Sequence, residues 1–156
     1  MLLLSNETGQ YPFPTSTPSG TENPIYFPTS PRLLGASLAA SETLPLSPIQ
    51  YRNETLFPKY VTGTLASTDA FDTRYPVNSA LSAQLHIAAF GMEAAAVAQT
   101  VFQWDAAVEF MVVKAISNVV DSGGQEQYHE LLQATADEAA QVTLATIKQL
   151  SVSSEQ

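Results

Sequence analysis

Cysteine is absent from this 156-residue chain, which excludes disulfides and thiolate chemistry. Basic residues are scarce: 6 Lys and Arg stand against 15 Asp and Glu, for a formal net charge of −9. Nucleic-acid binding needs clustered Lys and Arg, so nucleic acid is excluded as a partner. An anionic membrane surface is excluded for the same reason. No apolar run approaches the ~20 residues that a membrane-spanning helix needs. Met1-Leu2-Leu3-Leu4 is apolar, but it is short and lacks a basic flank, so it does not read as a secretory signal. The chain reads as cytoplasmic, and there the sequons Asn6-Glu7-Thr8 and Asn53-Glu54-Thr55 have no use. With 2 histidines, His86 and His129, and no glycine-rich phosphate loop, neither a metal nor a cofactor is expected.

What is present suits one α/β domain over residues 1–156. Hydrophobic residues make up 45%, enough for a core, while only 13% are charged. Leu2 to Leu4 read as the end of a buried strand whose beginning is absent. Residues 5–32 hold Pro12, Pro14, Pro18, Pro24, Pro28 and Pro31, and read as a long irregular Pro-rich loop. Arg32 to Ser41 has helical spacing, stopped by Pro45 and Pro48. Tyr60 to Leu65 reads as a strand, Asn78 to Gln84 as a short helix and Ile87 to Phe90 as a buried strand. A helix follows from about Met92 to Trp104, with Ala94, Ala95, Ala96 and Ala98 allowing close packing. Val108 to Ile116 is nearly continuous apolar sequence, the pattern of a parallel strand covered on both faces. After Ser122-Gly123-Gly124, residues Gln125 to Leu150 form a long amphipathic helix with Tyr128, Leu132, Ala136, Ala139 and Leu150 near one face. Residues 151–156 read as a frayed tail.

The chemistry concentrates in two places. Met92-Glu93 opens the alanine-rich helix, and the apolar strand ends abruptly in Ser117-Asn118. In an α/β sheet, ligands bind outside the carboxyl ends of strands, so the two can face one pocket. Each also has a plain structural account. Glu93 suits the helix dipole, Met92 fills core and Asn118 caps a loop. His129 reads as a surface or packing residue.

The order and spacing of three motifs carry more weight than any one residue. These are Ser67-Thr68-Asp69-Ala70-Phe71, then Met92-Glu93-Ala94-Ala95-Ala96-Val97-Ala98-Gln99, then Lys114-Ala115-Ile116-Ser117-Asn118-Val119-Val120-Asp121. In these the chain resembles the nucleoside phosphorylase and nucleosidase superfamily, above all the branch that cleaves methylthioadenosine and adenosylhomocysteine. The similarity runs from about Tyr26 to Leu150. It implies a three-layer α/β sandwich of the nucleoside phosphorylase type, represented by its C-terminal half and lacking its N-terminal strands. It implies a purine nucleoside as ligand, with phosphate as a second ligand in the phosphorolytic members, and a homodimer or higher oligomer. By the same resemblance, Phe71 stacks on the purine and the Asp72 backbone meets the base edge. Met92 packs on the ribose and Glu93 accepts its hydroxyls, with Ser67 beside them. Position 118 serves the departing base, with Ser117 orienting it.

The residue types fit the reaction. Breaking an N-glycosidic bond builds positive charge on the sugar, which a carboxylate stabilises. Negative charge builds on the base, which a proton or hydrogen-bond donor stabilises. The family's usual acid is Asp. Asn118 donates a hydrogen bond but no proton. Three readings stand: a nucleosidase, a phosphorylase, and a non-catalytic or truncated paralogue that binds nucleoside or a partner chain.

Overall fold

The computed structural model describes residues 1–9, 15–17, 20–22, 24–68, 83, 85–105, 107–118 and 124–153. Phe71, Asp72 and most of the expected 78–84 helix fall outside the described residues.

The central strand is β1 (Leu2–Gly9). Leu2, Leu3, Leu4 and Ser5 are all fully buried, because both faces of the strand are covered. Side chains alternate across a strand. Leu2 and Leu4 therefore meet Val142 on one face, while Leu3 meets Leu65 and Ala89 on the other. The strand continues past the polar Asn6-Glu7 through a bulge between Ser5 and Glu7. Thr29 donates its hydroxyl to the Ser5 carbonyl at 2.7 Å and helps hold that irregularity.

Four further strands, two of them only three residues long, complete its sheet. β7 (Tyr60–Ser67) runs parallel to β1, pairing Leu2 with Tyr60 and Gly9 with Ala66. β8 (Ile87–Gly91) runs parallel to β7, pairing Ser67 with Gly91. On the other edge of β1, β4 (Tyr26–Pro28) pairs antiparallel with Glu7–Gly9, and β9 (Val113–Ala115) pairs antiparallel with Leu2–Leu4. Gly63 is needed for the β7–β8 approach: a Cβ there would stand 2.5 Å from the Ala88 Cβ. Two small hairpins, β2 (Thr15–Thr17) with β3 (Gly20–Glu22) and β5 (Ile49–Tyr51) with β6 (Glu54–Leu56), complete the strands.

Helices cover both faces, giving a three-layer α/β sandwich. α1 (Pro31–Thr43) begins with Pro31 and a Ser30 cap whose hydroxyl accepts from the Leu33 N–H. α1 and α3 (Gly124–Ser153) lie on the Leu2–Leu4 face. α2 (Ala94–Trp104) lies on the Leu3–Leu65 face, where Ala95 and Ala98 are buried. The expected sandwich is thus present, with four corrections in detail.

Residues 5–9 continue β1, and β2, β3, β4 and the first turn of α1 also interrupt the expected 5–32 loop. α3 runs to Ser153, so residues 151–153 of the expected tail are helical. The run from Val108 to Ile116 is a strand only over Val113–Ala115, and it is antiparallel to β1 rather than parallel. Its earlier part bonds irregularly: the Val108 N–H donates to the Asp105 carbonyl at 3.0 Å, and the Phe110 and Val112 carbonyls accept from Ser30 and Ser5 N–H at 2.9 and 3.0 Å. The buried stripe of α3 is Leu131, Thr135, Glu138, Val142 and Thr146, whereas Leu132 is 44% exposed. Threonine hides in that stripe because its hydroxyl bonds back to the helix: Thr135 to Leu131 and Thr146 to Val142, each at 2.9 Å.

Candidate functional site

The parallel pairing of β7 and β8 ends their strands side by side. Ser67 pairs with Gly91, and the Thr68 N–H donates to the Gly91 carbonyl at 2.9 Å. From Gly91 the chain passes Met92 and enters α2 at Glu93. The Ser67 hydroxyl accepts from the Ala95 N–H at 2.9 Å, so the helix is capped from the neighbouring strand. Glu93 holds the N-cap position but makes no capping hydrogen bond with its side chain. Its Oε2 instead lies 3.3 Å from the Met92 N–H, and the carboxylate is exposed at the mouth of the strand ends. Met92 is 40% exposed beside it. Ser67, Met92 and Glu93 are therefore one group at the carboxyl ends of two parallel strands.

Ser117 and Asn118 form a second group. The Ser117 hydroxyl donates to Asn118 Oδ1 at 3.0 Å, and both residues are half-buried. That bond engages the oxygen of the amide. Because β9 runs antiparallel to β1, this group leaves the sheet next to Met1, whose carbonyl accepts from the Ile116 N–H at 2.9 Å. A neighbour of each group packs on the same Leu3–Leu65–Ala89 cluster: Ile116, two residues before Asn118, and Ala94, one after Glu93.

Lys114 ties β9 to the first group. Its Cε and Nζ both lie 3.5 Å from where a Cβ on Gly91 would stand. β9 and β8 are three strands apart in sheet order, so the sheet curls to allow this contact. The sequence shows Lys114 as the basic residue of its motif but gives no sign that it reaches β8.

A separate open groove of about 460 Å³ lies between β4 and the far end of α2, lined by Phe27, Val101, Phe102, Val108 and Phe110 among others. Beside it Arg32 and Ser30 both bond the Glu109 carboxylate, and the Arg32 guanidinium is the main cause of that carboxyl lying below its usual range. No predicted site residue lines this groove. Among the described residues, no group of three His, Cys, Asp or Glu side chains is placed to hold a metal. No helix among them is long and apolar enough to cross a membrane.

A mixed α/β sheet with a carboxylate and a serine at adjoining strand ends is a fold-and-site pattern that the family comparison makes specific. The family profile of the Phosphorylase superfamily matches residues 6–151, and the chain belongs to that superfamily. Solved structures share the fold. A 5′-methylthioadenosine/S-adenosylhomocysteine nucleosidase from Colwellia psychrerythraea, in complex with adenine, superposes with a TM-score of 0.74 at 23% identity, covering 96% of this chain and 59% of that one. The corresponding nucleosidase from Neisseria meningitidis, in complex with methylthio-immucillin-A, gives 0.69 at 21% identity, covering 94% and 61%. Futalosine hydrolase from Helicobacter pylori gives 0.71 at 18% identity, covering 95% and 60%. The chain spans about 60% of the length of these structures. No curated protein matches it.

Proposed function

We propose that the chain carries the nucleoside-binding half of an N-glycosidase site and cleaves the bond between a purine and its ribose. One observation supports this most: Ser67 caps α2, so the Glu93 carboxylate is exposed at adjoining strand ends rather than consumed by its own helix. In this reading Glu93 accepts the ribose hydroxyls and stabilises the cationic sugar, while Met92 packs on the ribose. Phe71 stacks on the purine, an interaction worth about 1–3 kcal/mol per base, and the Asp72 backbone meets the base edge. Asn118, held by Ser117, donates a hydrogen bond to the base as it leaves. The solved relatives with adenine and methylthio-immucillin-A favour a 5′-methylthio or adenosylhomocysteine-type nucleoside, with water as nucleophile. A self-associating chain in the cytoplasm is part of the same proposal.

A second reading is a chain that binds nucleoside without cleaving it. It is favoured by Asn118, which cannot transfer a proton.

The test is to incubate the purified chain with methylthioadenosine, adenosine and inosine, with and without phosphate, and to quantify free base by chromatography. Base released without phosphate establishes hydrolysis. Release only with phosphate moves the activity to phosphorolysis. Binding without release selects the second reading, and neither binding nor release overturns the site.

A further inference from the structure

The buried stripe of α3 completes its packing within the chain: Val142 meets Leu2 and Leu4, and the Thr146 hydroxyl meets that of Ser37 at 3.0 Å. On the side turned away lie Leu132, Ala136, Ala140, Thr143, Leu144 and Ile147, all exposed, with Leu144 at 59% and Ile147 at 52%. Spaced three or four residues apart, they form one band along about four turns. The band holds no charge, in a chain whose formal net charge is −9. The outer side of a surface helix ordinarily carries its charged residues, and a continuous exposed apolar band marks an interaction surface.

Size and charge both point to a second copy of this chain as the occupant. Along the band, Ala136 and Ala140 make a small half, and Leu144 and Ile147 make a large half. Two copies of α3 that cross antiparallel about a two-fold axis near Val142 and Thr143 set the large half of each on the small half of the other. Between Leu132 and Ser151 the exposed charges are Asp137 and Lys148. They stand about three turns apart and so lie on the same flank of the band. In the antiparallel pairing each flank meets its own copy, and Asp137 comes level with Lys148 of the second copy, twice. Asp137 Oδ1 accepts from Gln133 Nε2 at 2.8 Å, which leaves its other oxygen to a cation. Lys148 has no ion pair among the described residues. A parallel pairing would stack Leu144 and Ile147 on their own copies and leave both charges unmatched.

We propose that the outer face of α3 is a homodimer surface, on which two copies pair this helix antiparallel with two matched Asp137–Lys148 contacts. The proposal rests on the self-association in the proposed function and names its surface, and it does not depend on the chemistry at Glu93 or Asn118.

Sedimentation equilibrium of the full chain is expected to show monomer and dimer with a dissociation constant in the micromolar range, because one helix pair buries less than the ~1,200 Å² of a standard interface. Asp137→Lys sets lysine against Lys148, and Lys148→Asp sets aspartate against Asp137. Each is expected to weaken the dimer about tenfold or more. The double exchange is expected to return within about threefold of wild type, and the two single variants, mixed, to pair with each other more tightly than either pairs with itself. Ala140→Glu puts a carboxylate into the helix crossing and is expected to abolish the dimer. All three positions are exposed, so the denaturation midpoint of each variant, measured dilute, is expected to match wild type. A chain that stays monomeric at high micromolar concentration overturns both the surface and the self-association. A dimer that Ala140→Glu or the single exchanges leave unchanged, or that the double exchange fails to restore, overturns the surface alone. Base release is followed in parallel, and its absence from an α3-dependent dimer overturns cleavage while the surface stands.

Discussion

The hydroxyl of Ser67, the last residue of β7, caps the helix that begins after β8 by accepting from the Ala95 N–H at 2.9 Å. One side chain thereby locks two parallel strands to a helix and sets the turn that carries Met92 and Glu93. Ser67→Ala is expected to cost about 1 kcal/mol of stability, the usual value of a lost cap, read as a lower denaturation midpoint. An unchanged midpoint would mean that the bond contributes nothing to the fold.

Glu93 makes no capping bond, so its removal is expected to leave the fold intact. Under the proposed function, Glu93→Ala weakens nucleoside binding by roughly 10- to 100-fold, the value of hydrogen bonds to a charged acceptor. Calorimetric titration with adenosine checks this, and unchanged affinity sinks the assignment.

Asn118 is held at Oδ1 by Ser117. Asn118→Asp restores a proton carrier at that position. General acid catalysis typically contributes about 10²–10⁴-fold, so base release is expected to rise by an order of 10². No gain in the chromatographic assay would favour the binding-only reading.

Glu138 is 7% exposed on the buried stripe of α3, and burial raises its carboxyl above the ordinary 4.5 despite the bond from the Ser47 N–H and the attraction of the Met1 ammonium. Above 4.5 the unfolded chain ionises before the folded one does, so this group's contribution to stability falls as pH rises through the window between the two values. Glu138→Gln keeps an acceptor for Ser47 and removes the ionisation. The variant is expected to gain stability relative to wild type as pH is raised from about 4 to 8, with the difference vanishing at the acid end. Urea titrations across that range measure it, and a difference independent of pH would refute the cause.

Among the described residues, the buried Thr8 hydroxyl has no hydrogen-bond partner. Replacing it with the near-isosteric Thr8→Val removes an unsatisfied polar atom, with an expected gain of about 1 kcal/mol in the same denaturation experiment. A loss of stability would show that the hydroxyl is satisfied in solution.

Much of the fold was legible in the sequence because it rests on local chemistry. The strand from Tyr60, the strand from Ile87, the alanine-rich helix to Trp104 and the long C-terminal helix follow from side-chain periodicity and capping, which short stretches carry by themselves. The family, too, lay in the spacing of three motifs and in nothing beyond the chain. What the sequence could not settle were relations between distant segments. Asn6-Glu7 continues a strand because a bulge and Thr29 support it from outside. The stripe of α3 turns toward Thr135 and Thr146, since a hydroxyl that bonds its own helix is buried as readily as a methyl group. β9 runs antiparallel because the partner that claims it is the start of β1. The cap on α2 comes from Ser67, 28 positions away, and the Lys114 ammonium arrives at Gly91 only because the sheet curls. Periodicity is a property of neighbours along the chain. Pairing sense, helix rotation and the meeting of side chains across a sheet are set by which surfaces exclude water together, and only the folded chain decides those.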